Sequence, residues 1–261
     1  MKFRDMLYTK EDGIATITFN RPRALNALTA TMMKEWMTAM EDATNDDQVK
    51  VVVLTGAGRA FCSGRDMRYE EDESESFSPF GKSTPREQNI AHVVAALDKP
   101  YIGAINGPAA GAGMDYASMC DIRIASERAR FSMAYVRMGL PPAVGGCYFL
   151  PRIVGIAKAC DLIWTGRMID AQEALRIGYV SQVVPHDELE AATKELAMRL
   201  AMGPSVAIGL AKGLIYRCLE LDPEKALEEH QKAMLIALST EDAKEGPRAW
   251  IEKREPVFKG R

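Results

Sequence analysis

NGPAAGAGMDYASMCDIRIAS, residues 106–126, is the stretch whose reading decides the fold. It opens on small residues (Asn106, Gly107, Ala109, Ala110, Gly111, Ala112, Gly113) and then sets one carboxylate, Asp115, where a helix begins. An apolar run at 100–105 precedes it and reads as a strand, and a second run at 120–125 closes it. Strand, helix and strand in succession predict an α/β architecture. The stripped helix entrance also has a chemistry. The first backbone N–H groups of a helix lack internal partners and carry the positive end of its dipole. Without side chains in the way, a ligand oxygen reaches them. Two such N–H groups aimed at one point form an oxyanion hole. For one loop alone, close packing of helix on sheet explains small residues better than ligand binding does.

A second loop of the same kind lies upstream. Lys50-Val51-Val52-Val53-Leu54-Thr55 reads as a strand buried on both faces, and Gly56-Ala57-Gly58-Arg59-Ala60-Phe61-Cys62-Ser63-Gly64-Arg65-Asp66-Met67 follows it. Two such loops, one bearing a carboxylate, favour a site over packing alone. Neither matches the phosphate-binding pattern GxxxxGK[ST]. The dinucleotide fingerprint GxGxxG also fails, because Met114, Asp115 and Tyr116 follow Gly113.

Elsewhere, a turn at Glu11-Asp12-Gly13 leads to a strand at 14–19. Thr29 is placed to cap a helix running to Asn45, with Met32, Met33, Trp36, Met40 and Ala43 on one face. Residues 69–88 are acidic, Ser-rich and Pro-containing, and read as a mobile surface loop. Helical spacing follows over 89–97, then strands at 100–105, 120–125 and 129–132. Beyond Pro151 the chain reads as mostly helical, with helices over 187–202, 204–221, 223–238 and 241–253. The expected organisation is an α/β core over 1–195 carrying the site and a helical region over 196–261.

Composition bounds the function. The 261 residues are 47% hydrophobic and 26% charged, as in a globular protein that buries a full core. The net charge of −3 and the absence of a basic stripe argue against a nucleic-acid partner. No window holds about 18 consecutive apolar residues, so no membrane span is expected. The first residues, MKFRDMLYTKEDG, carry no apolar segment that would read as a secretory signal. Five scattered cysteines read as reduced thiols of a cytoplasmic protein. Three histidines, none at ligand spacing, make a metal centre unexpected.

Three stretches together resemble the crotonase superfamily, the enoyl-CoA hydratase/isomerase family. They are Asn20-Arg21-Pro22-Arg23-Ala24-Leu25-Asn26-Ala27-Leu28, the Ala60-Phe61-Cys62-Ser63-Gly64-Arg65-Asp66-Met67 segment, and the opening stretch from Asn106-Gly107 to Cys120-Asp121-Ile122. The resemblance runs from about Ile14 to Phe258 and implies a spiral of ββα units followed by C-terminal helices. It implies an acyl-CoA thioester as substrate, with CoA entering as part of it and no separate cofactor, and a homo-trimer or hexamer. The thioester oxygen would sit between the backbone N–H groups of Arg65, just after Gly64, and Ala112, within Gly111-Ala112-Gly113. Arg23, Ala24, Gly64, Arg68 and Gly113 fall at or beside CoA-contacting positions of the family, and Phe258 and Lys259 lie where its last segment covers CoA.

The acids depart from the family pattern. Hydratases of the family carry two glutamates; here the first position is Asp115 and the second is Tyr135, within Phe131-Ser132-Met133-Ala134-Tyr135-Val136-Arg137-Met138-Gly139. A third acidic position of some relatives is Ala143. A phenol with its ordinary pKa near 10 is a poor base at neutral pH. Hydration of a 2-enoyl-CoA is the expected reaction, with a single-carboxylate isomerase close behind. A thioester or carbon–carbon hydrolase and a silent CoA-binding protein are the further alternatives. Met67, Met114, Met119, Met133 and Met138 gather in sequence around the site, and with the short Asp115 they suggest a bulky cyclic, aromatic or branched acyl group. The acidic loop lies where the family varies the lid of its acyl pocket.

Overall fold

The computed structural model describes residues 2–67 and 90–261. The acidic segment, Arg68 and the first residue of the helix expected over 89–97 lie outside them.

The main sheet has six strands in the order β1 (Met6–Glu11), β2 (Ile14–Phe19), β3 (Val51–Gly56), β4 (Tyr101–Ile105), β6 (Ile122–Ser126) and β9 (Gln182–Val184). β1 and β2 form an antiparallel hairpin, and the other neighbours pair in parallel. Asp12 and Gly13 close the hairpin at φ 53° and 77°, the left-handed pair that matches strand twist in a two-residue turn. β3 shows why its apolar run is continuous. Val52 and Leu54 enter the larger core, on one face, while Val51 and Val53 enter the smaller core on the other.

The larger core is roofed by α1 (Ala30–Asn45). The Thr29 side chain caps it by accepting from the Met32 N–H at 3.1 Å, and Met32, Met33, Trp36, Met40 and Ala43 are buried as their spacing requires. α2 (Ile90–Ala96) packs beside it. A second sheet, β5 (Ala109–Ala110), β7 (Arg130–Ser132) and β8 (Ile169–Asp170), holds the loops around α3 (Ala112–Ser118). The helices α4 (Gly146–Val154), α5 (Ile156–Thr165) and α6 (Ala171–Arg176) follow, so helix begins before Pro151, which sits inside α4.

On the other face α7 (Leu189–Ala201) lies over β3, β4 and β6 and buries Leu189, Thr193 and Ala197. The expected division at residue 195 therefore cuts through a helix that belongs to the core. The change in character comes later: α8 (Ser205–Cys218) and α9 (Pro223–Leu238) pack on each other yet bury no residue, and α10 (Asp242–Glu252) ends the helical region.

Candidate active site

The two small-residue loops are stitched side by side. Cys62 bridges Ala109: the Cys62 N–H donates to the Pro108 carbonyl at 3.1 Å, and the Ala110 N–H donates back to the Cys62 carbonyl at 3.0 Å. Arg65 bridges Leu28, whose N–H and carbonyl are taken by Gly64 and Asp66. In that parallel register the Arg65 N–H points to the side away from Leu28. Gly64 sits at φ 93°, and a Cβ there would come within 2.9 Å of the Ala110 carbonyl oxygen and 3.6 Å of the Ala112 nitrogen. The peptide leading into Arg65 thus lies beside Ala112, the first residue of α3, whose N–H has no acceptor within its own helix.

The glycines of the opening stretch divide into two uses. A Cβ on Gly113 would meet the Cys62 carbonyl oxygen at 2.1 Å, and one on Gly107 the Arg59 carbonyl oxygen at 2.2 Å. Both permit backbone to approach backbone, and Gly113, expected among the CoA contacts, packs here against the Cys62 carbonyl. Gly111 differs: it takes φ 52° and has nothing within 4 Å of its Cβ position, so it turns the chain on the open side.

Asp115, one turn into α3, is buried. Its Oδ2 accepts from the Tyr135 hydroxyl at 2.6 Å and from the Val144 N–H at 3.2 Å. Its Oδ1 makes no hydrogen bond and rests on the entrance of α4, where a Cβ on Gly146 would come to 2.2 Å. Burial pushes the Asp115 carboxyl up to about 7, against the opposing pull of Tyr135 and Val144. Burial and the neighbouring carboxylate drive the Tyr135 phenol far above its ordinary range, so it stays protonated and donates. Tyr135 itself stands on a 3₁₀ turn, Ala134–Met138, packed on the larger core. Among the described residues no group of three or more His, Cys, Asp or Glu side chains is placed to hold a metal ion. A groove of about 480 Å³, lined by Thr16, Thr18, Thr55 and Lys194 among others, belongs to the α7 side of the sheet and not to this constellation.

Two stitched small-residue loops thus stand beside a buried acid. The enoyl-CoA hydratase/isomerase family model matches residues 9–261. The chain belongs to that family. It is 39% identical to a short-chain-enoyl-CoA hydratase of Clostridium acetobutylicum, over 98% of this chain and 97% of that one. It is 33% identical to a crotonyl-CoA hydratase of Syntrophomonas wolfei over 99% of both. Among solved structures, an enoyl-CoA hydratase from Bacillus anthracis superposes with a TM-score of 0.90 at 32% identity, covering 99% of this chain and 100% of that one. The expected crotonase fold is therefore the observed one, and the chain is an enzyme of acyl-CoA chemistry.

The structure sets the peptide leading into Arg65 beside Ala112 and, one turn further along α3, bonds Asp115 to Tyr135. Of the other expected positions, Gly64 lies beside Ala112, and the Ala24 carbonyl accepts from the Ser63 hydroxyl at 3.5 Å, next to that loop. Arg23 is exposed and Ala24 half-buried on a 3₁₀ turn, Pro22–Ala24. Phe258 is half-buried, with its ring edge 3.8 Å from the Cβ position of Gly246. Lys259 is tied to the start of α10, its N–H to Asp242 at 2.7 Å and its ammonium to Glu241 at 3.1 Å. The methionine cluster does not form a wall. Met114, Met119 and Met133 are buried in the larger core, while Met67 and Met138 are exposed.

Four residues carry more of the site than their sequence suggested. Asn26 donates through Nδ2 to the carbonyls of Ala57 and Ala60 at 2.9 and 2.7 Å, which fixes the first loop. Arg21 ties the same turn to Asp66 at 2.9 Å. Val144 and Gly146 fix the Asp115 carboxylate from the far side. The signal for Gly146 was the Gly145-Gly146 pair after Pro141-Pro142.

Proposed function

We propose that this enzyme adds water across the 2,3-double bond of a short 2-enoyl-CoA. The Arg65 and Ala112 N–H groups hold the thioester oxygen as its enolate develops, and Asp115 with Tyr135 handles the proton. The observation that carries the reading is a buried carboxyl, bonded to a phenol, beside two stitched helix-entrance loops. The two relatives' names favour a short acyl group, and the methionine argument for a bulky one loses its basis once those side chains fill core or face solvent. Arg23, Phe258 and Lys259 remain candidate CoA contacts, the latter two from the helical C-terminal region, and the exposed apolar helices of that region support assembly as a trimer or a hexamer.

The test is incubation with crotonyl-CoA and longer, branched and cyclic enoyl-CoA thioesters in deuterated water, followed by mass analysis. Hydration of crotonyl-CoA gives the mass gain of one water. A second reading, a 1,3-proton shift, is favoured by Asp115 being the one carboxylate at the family's acid positions; it gives unchanged composition with exchanged deuterium. Free CoA would mark a hydrolase. Substrate recovered unchanged and unexchanged from every class refutes the enzymatic reading and leaves a CoA-binding protein.

A further inference from the structure

Asp115 as the site's acid raises a steric problem. The side chain is 0% exposed, Oδ1 is walled by Gly146, and both bonds to Oδ2 come from protein. Neither oxygen is open to solvent in this structure. Of the two groups bonded to Oδ2, a backbone amide and a phenol, only the phenol transfers a proton readily. Tyr135 is also the residue of this pair that retains exposed surface.

We propose that the Tyr135 hydroxyl is the catalytic group that touches water and substrate, and that Asp115 acts through it as the proton reservoir of a two-member relay. This rests on the enoyl-CoA reading above. In the first stroke the water oxygen bonds to C3. A water proton passes to the Tyr135 oxygen as the phenolic proton passes to Asp115 Oδ2. The π pair shifts, leaving a C1–C2 enolate with its charge on the thioester oxygen. In the return stroke Asp115 gives its proton back to the Tyr135 oxygen, the phenolic proton bonds to C2, and the thioester carbonyl re-forms. No free phenolate is needed, which removes the objection that tyrosine is too weak a base.

The surroundings suit a reservoir. Among the described residues, the titratable groups that sense the Asp115 charge are Tyr116 on α3, Tyr135, Cys147 on α4 and Tyr179, and each is held neutral by a raised pKa. Among the described residues no lysine or arginine contributes to the Asp115 shift, so none of them expels or traps the proton by a fixed charge.

The experiment follows two reactions of the full-length enzyme in deuterated water. One is hydration of crotonyl-CoA; the other is deuterium entry at C2 of butyryl-CoA, which needs enolate formation but no hydration. Wild type, Tyr135→Phe, Asp115→Asn and the double variant are compared, with circular dichroism melts to establish folding. The relay predicts that each single variant lowers both rates by about 10²–10⁴-fold and that the double variant is no slower than the worse single one. Wild-type rates plotted against solvent deuterium fraction bow downward, because two protons move together, and residual activity of Tyr135→Phe gives a straight line. The relay is overturned if Tyr135→Phe keeps either rate within a few-fold of wild type, if wild type gives a straight line, or if wild type catalyses neither reaction. Exchange without hydration removes the hydratase reading alone, and the Tyr135→Phe exchange rate still decides the relay.

Discussion

A carboxyl held at about pH 7 in a folded chain costs stability whenever it is ionised. For Asp115 the folded pKa stands above the ordinary 3.8, so the native state binds the proton more tightly than the unfolded chain does. Its contribution is fully present below about pH 4 and is lost as pH rises to about 7. At 1.36 kcal/mol per unit the loss is on the order of 4 kcal/mol. Asp115→Asn is therefore expected to melt higher than wild type at pH 8, with the advantage vanishing near pH 4; melts across that range check it. Activity runs the other way. Hydration needs the ionised form in its first stroke, so kcat/KM of wild type falls with unit slope below about pH 7. Gly146→Ala is a second test of the same carboxylate. A methyl group 2.2 Å from Oδ1 forces the side chain off Tyr135, and a loss of roughly 1–3 kcal/mol of stability is expected together with a large fall in kcat.

At the scale of elements, α3 and the first loop depend on glycines for different reasons, and substitution separates them. Gly113→Ala drives a methyl into the Cys62 carbonyl, against backbone that is itself bridged to Ala109. It is expected to lower the urea midpoint and to shift the Ala112 N–H, reducing kcat. Gly111→Ala meets no atom within 4 Å and bears only the strain of φ 52° and ψ −123°, a conformation that favours glycine, on the order of 1–3 kcal/mol. Paired urea titrations should rank Gly113→Ala as the less stable variant; the reverse order would mean that the loops yield more easily than their hydrogen bonds imply. The same elements show what the sequence could convey. α1 was legible from the spacing of Met32, Trp36, Met40 and Ala43, and β3 from an unbroken apolar run, because burial imposes those periods. β5 and β8 were not, since two residues carry no period and become strands only by pairing with β7. Asp115 and Tyr135 were legible as positions, but their 2.6 Å contact was not, because a 3₁₀ turn twenty residues away had to fold back. The roles of Val144 and Gly146 depend on backbone placement, which no side-chain pattern announces.

At the scale of the whole molecule, the C-terminal third poses an energetic question. α8 and α9 are well-formed helices that bury no residue, yet they present Ile215, Leu219, Leu227, Met234, Leu235 and Leu238 to solvent. Fully burying one such side chain is worth about 1.5–3 kcal/mol, and these exposed side chains forgo most of it, although α8 is tied to the core by Lys212 and Tyr216 through Asp121. Apolar surface of this extent is what an interface between subunits would cover. Copies of this chain are the occupant that the proposed trimer or hexamer supplies. Sedimentation equilibrium of wild type should therefore give about three or six times the 28.8 kDa chain mass. Leu235→Glu sets a charge at a 70% exposed position, so in a lone chain it would leave stability within about 0.5 kcal/mol of wild type. In the assembly that charge is desolvated without a partner, which is costly. The expected outcome is dissociation to lower mass, a lower melting temperature that rises with protein concentration, and weaker acyl-CoA binding with the Asp115 pH limb unchanged. A wild-type mass of 28.8 kDa, or a variant whose mass and melt match wild type, would show that α8 and α9 stand exposed in the working enzyme.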